Sequence, residues 1–363
     1  MKNFANILKI NRKNLKLNLA EVSAALVIDK AIVSKLENGQ RTASKKQVLD
    51  FIHFYKLNEK DAMSAWLSDK VLYALQDEDY GLEALKVAED AVKYNSKNKV
   101  SVVDGSIQSL LDEIDALKKR WDVYRPLSGI ELEKMREYYS VKYTYNSNRI
   151  EGNTLTMQET FLVVKEDLTI GGKTMTEHLE AVNHFEAIDF IIDLVKEKEF
   201  LTERVLKQIH ALILKSIDKA NAGVYRKLPV FISGSTHMPP QPFLVAKQME
   251  EVFEFYEANK NKLHPVILAA DMHEKIVTVH PFIDGNGRTS RLIMNLVLLM
   301  NGFPIAIIKG DNESRQAYYN ALESSRKGGD GQMNSFYKLV LDVAIESIKT
   351  HISVVEPPAH LPD

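Results

Sequence analysis

The chain has 363 residues, 45% apolar and 26% charged, which is typical of a globular protein and excludes a disordered or fibrous one. Its 47 Lys and Arg against 49 Asp and Glu give a net charge of −2, so whole-chain charge favours neither nucleic acid nor membrane. The absence of cysteine excludes disulfides, a thiol nucleophile and a Cys-ligated metal. Because the amino terminus lacks a secretory signal, we expect a cytoplasmic protein with no membrane partner.

Charge divides the chain near residue 57. Residues 1–57 carry 11 Lys and Arg but 4 Asp and Glu, a net charge of +7, whereas the remainder is acidic, at −9. Such asymmetry is typical of a nucleic-acid-binding module joined to another function. We predict a basic module at 1–60, a helical linker at 61–100, a helical region at 101–200, a main core at 201–348 and a fraying tail at 349–363.

Residues 18–39 of the basic module read NLAEVSAALVIDKAIVSKLENG. The apolar spacing predicts one helix over 19–26 and a second that Asp29 caps and Gly39 ends. The second helix would bury Ile32, Val33 and Leu36 and expose Lys30, Ala31, Ser34 and Lys35.

This pattern resembles a helix-turn-helix of the Cro/CI-repressor type, and the resemblance covers about residues 4–57. In that family the second helix lies in the DNA major groove, so the resemblance implies DNA as a partner. Val27 departs from the family, which commonly has glycine in this turn. A small helical bundle that binds protein, or that only tethers the rest of the chain, is the alternative.

Helical periodicity continues through the rest of the chain and predicts an all-α fold. The predicted helices cover 61–76, 81–94, 107–119, 129–145, 157–164, 176–196, 202–215, 246–261, 265–279, 287–300, 313–325 and 334–351. Residues 228–243, the flap, differ because they are β-branched and aromatic around Gly234, and they predict a short β-hairpin. The uncharged run 292–308 is 17 residues long and contains asparagine, glycine and proline, which favours a buried helix and its exit over a membrane span.

Residues 280–291 read HPFIDGNGRTSR and carry the chemistry. Glycines at 285 and 287 predict a turn that opens a long helix, whose free backbone N–H groups and dipole form an anion site suited to phosphate. Arg288 and Arg291 are three residues apart, so they share a helix face and can reach the same anion.

Two further side chains complete this pattern. Asp284 precedes the turn and could hold a Mg²⁺ ion that bridges phosphate oxygens. His280 lies at the rim, where an imidazole with an ordinary pKa of about 6.5 can remove a proton from a hydroxyl. A base, a metal ligand and two cationic clamps within twelve residues indicate phosphoryl chemistry.

The segment resembles the signature of the Fic family, HPFxDGNGRxxR, with every position filled. Residues 223–226 (GVYR) and 234–240 (GSTHMPP) resemble that family's flap region, and Tyr318 and Tyr319 stand where it has a tyrosine pair near adenine. The resemblance covers about 101–348. It implies a helical core with a β-hairpin flap and the transfer of AMP from ATP to a Ser, Thr or Tyr hydroxyl of a protein, with release of pyrophosphate.

The resemblance also implies roles for individual residues. His280 would be the catalytic base, Asp284 the Mg²⁺ ligand, and Asn286 would lie near the α-phosphate. The flap would bind the target's backbone as an added strand. The implied nucleotide-binding set is Gly234, Ser235, Thr236, His237, Asp284, Gly285, Asn286, Gly287, Arg288, Thr289, Ser290, Arg291, Tyr318 and Tyr319.

Residues 147–153, SNRIEGN, resemble the family's inhibitory motif [ST]-x-x-x-E-[GN], filled by Ser147, Glu151 and Gly152. A carboxylate placed among phosphate-binding arginines imitates the anion that they bind, so Glu151 paired with Arg291 would block the γ-phosphate position. The alternative is a routine helix end with a surface glutamate.

Two other histidines are interpreted as structural: His273 as a packed residue behind the site, and His210 as part of an apolar helix. One alternative function is a DNA-binding regulator that uses the Fic-like portion as a nucleotide sensor. A second alternative is an enzyme with the same fold that transfers phosphate or phosphocholine. The target, self-modification, removal of AMP and a homo-oligomer stay open.

Overall fold

A computed structural model describes residues 4–75, 79–86, 105–125, 130–326 and 332–356. The chain divides into two compact units, Met1–Ser96 and Lys97–Asp363. Within the described residues both units consist of helices and loops without β-strands, which confirms the all-helical prediction. None of the helices in these ranges combines the length and the hydropathy of a membrane span.

The first unit is a small bundle around an apolar core of Leu8, Val22, Val33, Phe51 and Trp66. Asn18 and Ser44 begin two of its helices with capping boxes, which satisfy the free N–H groups of each first turn. Among the described residues of this unit, residues 81–86 are helical, and the helices with both ends described are α1 (Phe4–Asn14), α2 (Leu19–Leu26), α3 (Lys30–Glu37), α4 (Lys45–Tyr55) and α5 (Glu59–Leu75).

Helix α5 belongs to this bundle, although the sequence assigned residues 61–100 to a linker. Ala62 and Trp66 are buried in the core, and the Trp66 indole Nε1 donates to the Ala43 carbonyl at 2.8 Å. Periodicity shows that a helix has an apolar face but not what covers that face. Most of the predicted linker beyond 75, at 76–78 and 87–100, lies outside the described residues, as does the tail at 357–363.

The second unit is built around two closely packed neighbouring helices, α12 and α13. All of α12 after its first residue is buried, so it has no exposed face and runs through the centre of the unit. Within the described residues its helices are α6 (Gly105–Val123), α7 (Ile130–Ile150), α8 (Met157–Lys165), α9 (Met175–Lys196), α10 (Glu203–Ile213), α11 (Pro242–Asn259), α12 (Pro265–Val279), α13 (Asn286–Met300), α14 (Asn312–Ser325) and α15 (Asn334–Val355).

The uncharged run 292–308 is the buried helix and exit that its polar residues predict. Asn295 lies on α13 with no exposed surface, and its side-chain amide pairs with both the N–H and the carbonyl of Ala306. These two bonds hold the extended exit segment alongside α13.

The flap is an extended loop between α10 and α11, and the predicted β-hairpin is not formed. A turn at Gly234, with φ of 78°, brings Ser235 N to within 3.1 Å of the Ile232 carbonyl, but no strand pairing joins the two arms. An isolated two-stranded hairpin is marginally stable, and here the side chains of Ser235, Thr236 and His237 bond to neighbouring helices.

Candidate active site

The 280–287 loop joins the two central helices and has a preformed shape. His280 ends α12 in the left-handed region, with φ of 50°, and Gly285 begins α13 with φ of 76°. The Asn286 amide accepts from the Phe282 N–H and donates to the Phe282 carbonyl, both at 2.9 Å. Asn286 therefore closes the loop upon itself, and its position near the α-phosphate, which the resemblance implied, stays a prediction.

His210 supports this loop from below. Its Nδ1 accepts from the Gly223 N–H at 2.9 Å, so the proton is on Nε2, which donates to the Asp284 carbonyl at 2.9 Å. The ring stacks on Phe282 at 3.6 Å between centroids, and burial lowers the pKa of His210 to about 4. The contacts agree with the structural role predicted for this histidine.

His280 is held as a neutral imidazole at the edge of the loop. Burial, with smaller contributions from Arg226 and Arg326, lowers the pKa of His280 to about 4, below the ordinary value assumed from the sequence. Its Nδ1 lies 3.3 Å from the Val277 carbonyl, which can only accept, so Nδ1 carries the proton. The Nε2 lone pair is then available to accept a proton from a bound hydroxyl.

Arg226 fixes both arms of the flap to this histidine. Its Nε donates to the His280 carbonyl at 2.8 Å, while Nη1 and Nη2 donate to the carbonyls of Leu228 and Pro240 at 3.1 and 2.6 Å. The Arg226 side chain is buried and every one of its bonds is to backbone. The sequence indicates this arginine only as part of the GVYR stretch, because hydrogen bonds to distant carbonyls leave no local pattern.

Arg288 is buried at the start of α13 with an unused donor. Its Nη1 donates to Glu180 at 2.9 Å and its Nη2 to Asp284 at 3.3 Å, but its buried Nε has no partner. Buried donors in proteins are almost always satisfied, so this group is one that an anionic ligand would complete. Glu180 was not identified from the sequence.

Arg291 holds the predicted inhibitory glutamate. Its Nη2 donates to Glu151 Oε1 at 2.7 Å and to the Ser147 carbonyl at 2.9 Å, and its Nε donates to Ser147 Oγ at 3.1 Å. Burial opposes the Glu151 charge, but Arg291 and Arg288 outweigh it and lower the pKa of Glu151. Burial likewise opposes the charge of Arg291, yet the Glu151 carboxylate raises the pKa of Arg291.

The Glu151 carboxylate occupies the start of α13. A Cβ atom added to Gly287 would collide with Glu151 Oε1, so the first turn of α13 and the carboxylate are in van der Waals contact. The α7 dipole disfavours an anion at that helix's carboxyl end, whereas the α13 dipole and its free N–H groups favour one here. Gly152, at φ of 102°, turns the chain away immediately afterwards.

The tyrosine pair supports these groups from behind. The buried Tyr318 hydroxyl lies 3.0 Å from His273 Nε2 and 3.4 Å from Arg291 Nη1. Tyr319 donates to the Ile150 carbonyl at 3.1 Å and so holds the end of α7. Both hydroxyls are bonded to other parts of the protein, and the position near adenine that the resemblance implied stays a prediction.

The remaining predicted residues divide between the helix and the flap. Ser290 donates to the Asn286 carbonyl at 2.8 Å, and Thr289 is fully buried beside it. In the flap, Ser235 and Thr236 both donate to Glu323, and His237 Nε2 lies 2.8 Å from the Thr278 carbonyl. These contacts therefore fix the flap to α14 and α12, near His280.

Comparison with known proteins identifies a family domain and relatives of this chain. Residues 200–298 match the sequence profile of the Fic/DOC family. The chain is 36% identical over 225 residues to Protein adenylyltransferase Fic of Nematostella vectensis, covering 61% of this chain and 51% of that protein. It is 31% identical over 264 residues to the protein of the same name in Drosophila mojavensis, covering 72% of this chain and 50% of that protein.

A solved structure shares the fold. The crystal structure of a Fic domain containing signaling protein from Bacteroides thetaiotaomicron superposes with a TM-score of 0.61 at 28% identity, over 67% of this chain and 96% of that one. The chain spans about half the length of the curated relatives that it matches. Residues 200–298, which include the complete 280–287 loop, therefore form a Fic/DOC family domain in a chain homologous to Fic protein adenylyltransferases.

Proposed function

We propose that the chain is a protein adenylyltransferase, which transfers AMP from ATP to a Ser, Thr or Tyr hydroxyl of a target protein, and that Glu151 keeps it inactive. The observation that carries the proposal is a neutral His280 beside a helix start lined by two buried arginines, one of which, Arg291, binds the carboxylate of Glu151. The homology to Fic protein adenylyltransferases supports the same reaction.

The residues suggest a role for each part in the transfer. His280 Nε2 accepts the proton of the target hydroxyl while its oxygen bonds to the α-phosphorus. The bond from that phosphorus to the bridging oxygen breaks, and pyrophosphate leaves. The N–H groups at the start of α13 stabilise the charge that develops on the α-phosphate, and Arg288 and Arg291 bind the outer phosphates.

Asp284 is the residue that would hold Mg²⁺. Its side chain is 66% exposed, and Arg288 donates to only one of its oxygens. Mg²⁺ is commonly bound by one or two carboxylates together with substrate phosphates, which suits a single exposed aspartate beside an anion site. The ion would neutralise phosphate charge.

Inhibition follows from competition for one guanidinium. The Arg291 Nη2 that contacts Glu151 cannot also bind a γ-phosphate at the same position, so ATP would bind with its α-phosphate displaced from His280. Removal of the carboxylate leaves Arg291 held by Ser147 and Tyr318. We therefore expect loss of Glu151 to release the enzyme without loss of the phosphate site.

The reaction is tested with full-length protein carrying Glu151→Gly, incubated with cell lysate and ATP labelled at either the α- or the γ-phosphate. Adenylyl transfer predicts protein bands labelled from the α-phosphate alone and a peptide mass increase of one AMP. Adding His280→Ala must remove this label. Label that enters from the γ-phosphate, or persists without His280, would show a different reaction.

As a second function, we propose that the first unit binds DNA through α3. Helices α2 and α3 are joined by the short turn 27–29, and Lys30 and Lys35 of α3 are exposed. A helix-turn-helix places such a second helix in the major groove, where basic side chains bind phosphates.

The test is retention of a random-sequence duplex DNA by the full chain at increasing salt. Lys30→Glu with Lys35→Glu should reduce binding at least tenfold, and Lys134→Glu with Lys338→Glu should not. Equal binding by both double variants would contradict a DNA-binding role for α3.

A further inference from the structure

The flap exposes four large apolar side chains. Leu228, Phe231, Met238 and Phe243 are 65%, 76%, 65% and 67% exposed. No Lys, Arg, Asp or Glu occurs between Lys227 and Lys247. Several large apolar side chains exposed within one uncharged segment beside the 280–287 loop are typical of an interaction site, because binding a partner would remove their apolar surface from water.

The two arms alternate as strands do, although they are not paired. On the second arm, Ser235 and His237 turn towards α14 and α12, where Glu323 and the Thr278 carbonyl bind them, while Met238 is exposed. On the first arm, Val230 and Ile232 are partly buried and Phe231 is exposed. One face of the flap thus points to the site and the other presents Phe231 and Met238.

The flap backbone has hydrogen-bonding groups free for another extended segment. Between Leu228 and Ser233, the backbone carbonyls that accept hydrogen bonds are those of Leu228, from Arg226, and of Ile232, from the Ser235 N–H. Main-chain pairing alone is sequence-tolerant. Side chains opposite each other in neighbouring strands interact directly, so Phe231 and Met238 would contact the side chains of a segment bound along the flap.

We propose that the flap selects acceptor hydroxyls flanked by apolar residues. This inference rests on the proposed adenylyl transfer. In an extended segment the acceptor points towards His280, so its two immediate neighbours in sequence point to the opposite face, where Phe231 and Met238 lie. The favoured target therefore carries Val, Ile, Leu or Phe directly before or after the modified Ser, Thr or Tyr.

The test uses full-length protein with Glu151→Gly, α-labelled ATP and a positional-scanning library of ten-residue peptides with a central threonine or tyrosine. Each aromatic cross-strand contact contributes about two- to fivefold, so peptides with apolar neighbours should be labelled about threefold to tenfold more than peptides with Asp or Glu there. Phe231→Ser should bring this ratio close to one, and Phe231→Lys should reverse it in favour of acidic neighbours.

Phe200→Ser is the matched control, because Phe200 is 72% exposed and lies outside the flap. It should leave the ratio unchanged, and ATP affinity by calorimetry should be equal in all variants. A ratio near one before mutation, or one that Phe231→Ser does not alter, would overturn the inference. Labelled lysate proteins without labelled peptides would also overturn it but leave adenylyl transfer intact, whereas no label in either would refute the transfer itself.

Discussion

An arginine–glutamate pair in each unit, Arg12–Glu37 in the first and Arg291–Glu151 in the second, can be compared, and the two pairs differ in how completely their charges are satisfied. In the first unit Arg12 forms a bidentate contact with Glu37, at 2.7 Å from Nε to Oε1 and 2.8 Å from Nη2 to Oε2, and only 3% of the Glu37 side chain is exposed. In the second unit Arg291 binds Glu151 through a single Nη2, and 32% of the Glu151 side chain is exposed.

The difference separates a structural pair from a replaceable one. Arg12 joins α1 to α3, and if Glu37 is lost the partly buried guanidinium keeps only its bond to the Leu17 carbonyl. Arg291 keeps Ser147 and Tyr318, and the place vacated by Glu151 lies at a helix start that favours any anion. A buried ion pair therefore suggests function when one partner is substitutable by a ligand.

The largest expected effect is on activity. Glu151→Gly should raise the rate of adenylyl transfer about 100-fold, which corresponds to the roughly 3 kcal/mol typical of a lost buried pair. Glu37→Gly should not raise it at all, because Arg12 belongs to the other unit and its core. Initial rates with labelled ATP measure both, and a rise in the Glu37 variant would remove the distinction.

The next effect is on stability, where the Glu37 variant should change more than the Glu151 variant. Glu37→Gln should lower the free energy of unfolding of the first unit by about 3 kcal/mol, because the Arg12 charge loses its carboxylate. Glu151→Gln should leave the same unit unchanged. Hydrogen exchange of α1 and α3 peptides, followed by mass spectrometry, reports the local free energy. Equal protection of these peptides in the two variants would contradict the structural role of the first pair.

A smaller effect concerns backbone strain. Val27 and His280 both have positive φ, at 55° and 50°, but Val27 is 92% exposed, while the His280 ring bonds to Val277 at the site. Val27→Gly should stabilise the first unit by about 1 kcal/mol, since glycine adopts this conformation without the β-branched clash. Val27→Ala should gain less. Thermal unfolding of the full chain checks the shift, and destabilisation by glycine would show that Val27 is not strained.

The smallest expected effect is of pH on inhibition. Because its arginine partners lower the pKa of Glu151, the stabilising contact is present above the ordinary carboxyl pKa and is lost only as pH falls through the lowered one. Wild-type transfer should therefore change less than twofold between pH 8 and 5. The Glu151→Gly protein should lose activity only as pH approaches the His280 pKa of about 4. A wild-type rise with a midpoint between pH 5 and 7 would contradict this.

The sequence predicted the parts of the site that are contiguous in the chain. Residues 280–291 and 147–152 each lie within one loop or helix end, so local spacing indicated His280 and Arg291, and the resemblance to the inhibitory motif indicated Glu151. Contacts between distant segments were not predictable, because Glu180 meets Arg288 across 108 positions and Arg226 meets His280 across 54. The packing of α5 and the unpaired arms of the flap depend on what covers each segment, which local pattern does not specify.

The central claim is that Glu151 occupies the position of an outer phosphate on Arg291. Calorimetry of ATP and AMP binding to full-length His280→Ala protein, with and without Glu151→Gly, tests it without turnover. AMP lacks the outer phosphates, so the account predicts that Glu151→Gly raises the ratio of ATP to AMP affinity at least tenfold, about 1.4 kcal/mol. An unchanged ratio would show that the carboxylate and the phosphate do not compete for the same guanidinium.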